Sequence, residues 1–100
     1  MSRVYISGGI TNVPDYMIRF SEAKTRLVKR GFEVVNPAQV CLSLPVSFTH
    51  EQYMTVCLAM LECCDTIYML HGWEESKGAK IELEWAMFHG FKIMAEDDDI

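Results

Sequence analysis

Apolar and polar positions along this chain follow two periods, and the switches between them mark out its elements. Arg3 to Ser7, RVYIS, is a β-branched and aromatic run that stops at Gly8-Gly9, a pair able to adopt positive φ or to admit a ligand close to the backbone. This predicts a strand followed by a tight loop. After Pro14, apolar Tyr16, Phe20, Ala23 and Leu27 recur at helical spacing while Arg19, Glu22, Lys24 and Arg26 are polar. An amphipathic helix is expected from about Pro14 to Arg30, with Gly31 as its stop. Phe32 to Val35 predicts a second strand ended by Asn36-Pro37. Residues 37 to 49, with a further proline at Pro45, then read as a long, partly apolar loop of the kind that often carries function.

The second half repeats the alternation. Thr49 is a plausible N-cap, and Tyr53, Val56, Cys57, Met60 and Leu61 mark one face of a helix from His50 to about Cys63. Asp65 to Leu70, DTIYML, is apolar almost throughout, as suits the centre of a parallel sheet covered on both faces. A last helix starts near Ser76 and stops at Gly90, and Lys92 to Ala95, KIMA, predicts a fourth strand. Strands alternating with helices imply an α/β fold with a small parallel sheet and right-handed crossovers. Ligands of such sheets bind beyond the carboxyl ends of the strands, here Ser7-Gly8-Gly9, Asn36-Pro37 and the segment from Leu70 to Ser76.

The last helix carries an anomaly. With a step of about 100° per residue, Ala79, Leu83, Ala86, Met87 and Gly90 form a stripe expected to face the sheet, while Ile81, Trp85 and Phe88 form a second that a lone monomer would expose. Lys77, Lys80 and Glu84 fill the polar face, but Glu82 falls between the two apolar stripes. Helical side chains lean toward the N-terminus, so its carboxylate should lie over Gly78 and Ala79, where small residues leave room for a ligand. The helix start at Ser76 also offers unpaired N–H groups and the positive end of the helix dipole. Glu82 then either serves a site there or pairs with a lysine or with water at the edge of the packing.

Composition narrows the classes. One hundred residues make a single small domain, expected over residues 1–95 with 96–100 as a solvated acidic tail, and a domain this small gains from sharing a core with another copy. Half the residues are hydrophobic and 23% are charged, the balance of a folding chain. A net charge of −5 argues against wrapping a nucleic-acid polymer, which needs clustered Lys and Arg. No apolar run reaches the roughly 18 to 20 residues that span a bilayer, and the first residues lack a signal-peptide layout, so a cytoplasmic protein is expected. Cys41, Cys57, Cys63 and Cys64 show no metal-ligand spacing and read as small buried hydrophobes. His50, His71 and His89 likewise suggest no metal and are treated as structural, and no cofactor is implied.

Weaker signals remain. The glycine pair after the first strand is half of a dinucleotide fingerprint and fits a phosphate or sugar contact, or a plain tight turn. Asp65 stands at a strand start, where a carboxylate is commonly a solvated boundary residue. Trp73 in HGWEES could stack a base or simply pack.

VYISGGI, CDTIYML and GWEESKGAKIELEWA, taken together and in order, resemble the nucleoside 2-deoxyribosyltransferase superfamily, which includes deoxynucleoside 5'-monophosphate N-glycosidases. The similarity covers nearly the whole chain, and Ser76, Gly78 and Glu82 carry its most specific pattern. The resemblance implies a flavodoxin-like, Rossmann-like three-layer sandwich with about four parallel strands, and cleavage of the bond between a base and 2-deoxyribose. It implies Glu82 as nucleophile, with Tyr5 near it and Asp65 as a further catalytic residue. Ser7, Gly8 and Gly9, with Asn36, Trp73, Ser76 and Gly78, would contact a nucleoside or nucleotide. Members of that superfamily complete a neighbouring subunit's site with a segment after the last strand. Here EDDDI follows KIMA, so the 37 to 49 loop is expected to complete the pocket if activity is retained. A homodimer through Ile81, Trp85 and Phe88 is expected. The rival expectation is a non-catalytic nucleotide-binding module with the same fold and pocket.

Overall fold

A computed structural model of the chain describes residues 2–99; Met1 and Ile100, the outer ends of the expected domain and of the expected tail, lie outside the described residues. Four strands, β1 (Arg3–Ser7), β2 (Glu33–Val35), β3 (Thr66–Met69) and β4 (Lys92–Ala95), form one parallel sheet in the order β2-β1-β3-β4. This is an α/β fold of the doubly wound kind, and the order reverses between β1 and β3.

Side chains alternate across a strand, so each central strand feeds two cores. Val4 and Ile6 of β1, with Tyr68 and Leu70, pack against Phe20, Ala23 and Leu27 of helix α1 (Tyr16–Lys29). On the other face Tyr5, Ile67 and Met69 meet Cys57 and Leu61 of α3 (His50–Glu62) and Ala79 and Ala86 of α4 (Lys77–Phe88). All of β3 is buried, as its apolar run predicts. Thr49 caps α3 through a reciprocal box with Gln52, in which Thr49 Oγ1 accepts from the Gln52 N–H at 3.1 Å and Gln52 Oε1 accepts from the Thr49 N–H at 2.9 Å.

Three expectations are corrected. The 37 to 49 stretch opens with a short helix, α2 (Pro37–Val40), and a 3-10 turn at Cys41–Ser43. Asn36 Oδ1 accepts from the N–H groups of Ala38 and Gln39, and Pro37 occupies the first helical position, where its missing N–H costs nothing. Asn36-Pro37 therefore starts a helix, and Asn36 is a cap whose side chain is committed to the backbone.

The buried face of α4 is also rotated from the expected stripe. Its buried residues are Ala79, Glu82 and Ala86, whereas Met87 is 63% exposed. The two alanines let the helix approach the sheet closely, and the hydroxyls of Tyr5 and Ser7 give a carboxylate a reason to face inward. Trp85 is half-buried, stacked on His89 at 3.8 Å and edge-on to Phe91 at 5.3 Å.

The acidic segment is not a loose tail. Glu96–Asp99 forms a 3-10 turn folded against α1 and the end of β3. Arg26 reaches Glu96 at 2.6 Å and Arg30 reaches Asp99 at 3.2 Å. Tyr68 donates to Asp99 at 2.8 Å, and the His71 ring meets Asp97 at 2.8 Å. Composition alone reads these acids as a solvated tail, but Arg26 of α1 and Arg30 at its C-terminal cap supply counter-charge. Among the described residues, no helix is long and apolar enough to cross a membrane.

Candidate active site

The alternation of β1 decides what Glu82 meets. Tyr5 and Ser7, two residues apart, project from the same face of the sheet, the face that α4 covers. The Tyr5 hydroxyl donates to Glu82 Oε2 at 2.5 Å and the Ser7 hydroxyl donates to Oε1 at 2.7 Å. Glu82 is only 5% exposed, so both of its oxygens are held by donors in a nearly dry setting.

The electrostatics follow from two opposed effects. Burial disfavours the charged carboxylate and pushes its pKa above the usual range, while the bonds from Ser7 and Tyr5 pull it back; burial wins. The Tyr5 phenol is pushed well up, first by burial and then by the neighbouring Glu82 charge, so it keeps its proton and stays a donor. Burial raises the Cys57 thiol to about 12 with help from Glu82, and it raises the Tyr53 phenol as well. Glu82 thus brings a buried carboxylate to this wall, and Cys57 is a neutral thiol rather than a nucleophile.

A cleft of about 670 Å³ opens beside Glu82, within the roughly 300–1,000 Å³ typical of small-ligand sites. It lies beyond the carboxyl end of β1, at the point where the strand order reverses. One wall is the loop from Gly8 to Val13, a second the start of α4, and a third the start of α3 with Phe48 and Thr49. Ser76 caps α4 by accepting from the Ala79 N–H at 3.1 Å. Gly8 serves packing as well as access, since a Cβ there would stand 2.9 Å from Leu70 Cβ and Cδ1. At Gly78 a Cβ would meet Met54 Sδ at 3.2 Å, so the glycine brings α3 and α4 together as well as leaving ligand space.

The structure thus brings Tyr5, Ser7, Gly8, Gly9, Ser76, Gly78 and Glu82 to one place, with Ser7 reaching the cleft through Glu82. Three expected residues are elsewhere. Asp65 sits at the opposite, amino end of the sheet, where its carboxylate accepts from the Thr66 hydroxyl at 2.7 Å and its backbone N–H bonds to the Arg3 carbonyl. It is the boundary residue that its position at a strand start allows. Asn36 is spent on capping α2. Trp73 packs against the core beneath α4 and does not line the cleft.

The cleft also contains residues that the sequence patterns did not assign to a site. His50, Tyr53 and Met54 come from the first turns of α3, Lys77 and Glu75 from the approach to α4. Periodicity marks Tyr53 as part of a packed face but does not tell which end of a helix overhangs a cleft. Among the described residues no three His, Cys, Asp or Glu side chains converge as metal ligands would.

The fold has a solved counterpart. The chain superposes on the solved structure of a 2-deoxyribosyltransferase from the psychrotolerant bacterium Bacillus psychrosaccharolyticus with a TM-score of 0.76, at 17% identity, over 94% of this chain and 71% of that one. That protein is described as a biocatalyst for the synthesis of antiviral and antitumoral nucleosides. No curated protein matches the sequence. The chain belongs to the DUF4406 family, a domain of unknown function whose family model matches residues 2–95.

Proposed function

We propose that this protein cleaves the bond between base and sugar in 2'-deoxynucleosides or their 5'-monophosphates, with Glu82 as the nucleophile. The observation that carries the reading is a buried glutamate on the cleft wall, each oxygen fixed by a hydroxyl donor. A Glu82 oxygen forms a bond to the anomeric carbon as the carbon–nitrogen bond breaks, and its electron pair leaves with the base. Water or a second base then attacks the same carbon and releases the carboxylate. Tyr5 and Ser7 hold the carboxylate in one orientation, which favours attack through proximity, and burial leaves it weakly solvated.

The test is to incubate the protein with each deoxynucleoside and deoxynucleoside monophosphate, with and without a free acceptor base, and to follow base release by chromatography. Release that Glu82→Ala abolishes supports the reading. Saturable binding without release would instead make the chain a nucleotide-binding module.

Self-association belongs to the same reading. With Trp85 partly covered within the chain, the exposed end of α4 presents Met87 at 63% and Phe88 at 86% exposure. A homodimer that buries them should sediment at twice the monomer mass and dissociate on Phe88→Glu.

A further inference from the structure

Departure of a nucleobase requires a proton, because a base anion is a poor leaving group, and Asp65 is too remote to supply it. The donor must therefore come from the cleft itself. Tyr5, Tyr53 and Cys57 hold their protons too tightly, raised as they are by burial, and Glu82 is committed to attack. Glu75 and Lys77 also face the cleft. Both belong to the segment that leads into α4, the helix that carries Glu82, and not to the wall that α3 contributes. The remaining titratable side chain is His50, at the first position of α3 and on the cleft wall.

Its geometry suits the task. His50 Nε2 stands 3.8 Å from the point a Cβ would occupy at Gly78, so the ring lies against the first turn of α4, where both residues line the cleft. One helical turn, a rise of about 5.4 Å, separates Gly78 from Glu82. The other two histidines are engaged, His71 with Asp97 and His89 with the Trp85 carbonyl. Among the described residues the His50 ring makes no side-chain hydrogen bond, which leaves it available to a ligand.

Resting on the glycosidase reading above, we propose that His50 is the general acid that protonates the departing base. The imidazolium gives its proton to a ring nitrogen or carbonyl oxygen of the base as the glycosidic bond breaks and Glu82 bonds to the anomeric carbon. In the second step the neutral imidazole takes a proton from the attacking water, or from the N–H of an acceptor base, as the Glu82 bond breaks. The acid is regenerated with each turnover.

The experiment compares wild type and His50→Gln on a natural deoxynucleoside and on an aryl 2-deoxyriboside whose nitrophenolate leaves without protonation. Base release from the natural substrate should fall about 10²–10⁴-fold, the usual contribution of a positioned acid. Loss of the aryl group should change less than about threefold, the basic limb of the pH profile should disappear, and added imidazole should partly restore His50→Ala. Equal losses on both substrates, or an unchanged pH profile, would overturn the assignment of His50 while leaving the glycosidase reading intact. Failure of wild type to cleave either substrate would overturn that reading and this one with it.

Discussion

Replacing Tyr5 by Phe tests the Glu82 environment with little steric change. The ring is fully buried and its hydroxyl donates to Glu82 Oε2, so the substitution keeps the packing and removes one charge-assisted hydrogen bond. Such a bond is worth about 1.5–3 kcal/mol, and Ser7 alone then serves the carboxylate. In a Glu82→Gln background the same substitution removes a neutral bond worth about 0.5–1.5 kcal/mol, leaving a coupling of about 1 kcal/mol between the two positions. The bond from Tyr5 lowers the Glu82 pKa, meaning that it favours the ionised form. Its contribution is therefore present above the raised Glu82 pKa and fades as pH falls through it. Urea unfolding of the four proteins at neutral and acidic pH measures both effects. Equal costs in the two backgrounds and at both pH values would refute the claim that Tyr5 supports an ionised, buried Glu82.

Further outcomes follow from the same structure. Because burial raises the folded-state pKa of Glu82, its stability contribution is greatest below the carboxylate range of the unfolded chain and is lost as pH rises through the folded value. Glu82→Gln should therefore be inactive in base release yet at least as stable as wild type at neutral pH, with a flatter dependence of urea midpoint on pH. Gly8→Ala would bring a Cβ within 2.9 Å of Leu70 and should lower unfolding free energy by about 1–3 kcal/mol. Arg26→Ala should cost under about 1 kcal/mol, a difference that shrinks in added salt, because the Arg26 and Glu96 side chains are 43% and 23% exposed.

The sequence is most legible where local chemistry and tertiary packing agree. The fourth strand falls on Lys92–Ala95 as its pattern predicts, and Thr49 caps α3, because each signal is complete within a few residues. Asn36-Pro37 misleads because the same dipeptide that ends a strand also caps and opens a helix. Helical spacing marks Glu82 as anomalous but cannot orient α4, since the decisive partners Tyr5 and Ser7 lie 77 and 75 residues away. The wheel places Ala79 and Ala86 on the sheet side, as observed, but adds Met87, which is exposed, and leaves out Glu82, which is buried. Glu96–Asp99 reads as a solvated run because its counter-charges, Arg26 and Arg30, belong to a distant helix. Asp65 and Trp73 need knowledge of which sheet end and which core they join, and His50 lies on a helix end that no periodicity selects.

The central claim is that Glu82 forms a covalent bond to the sugar. Mass spectrometry of acid-quenched protein after incubation with excess deoxynucleoside or its monophosphate, followed by peptide mapping, tests it directly. The account predicts one 2-deoxyribosyl or phosphodeoxyribosyl group on the peptide that carries Glu82, absent from Glu82→Gln. Base release by Glu82→Gln at the wild-type rate, or an adduct on any other residue, would contradict it.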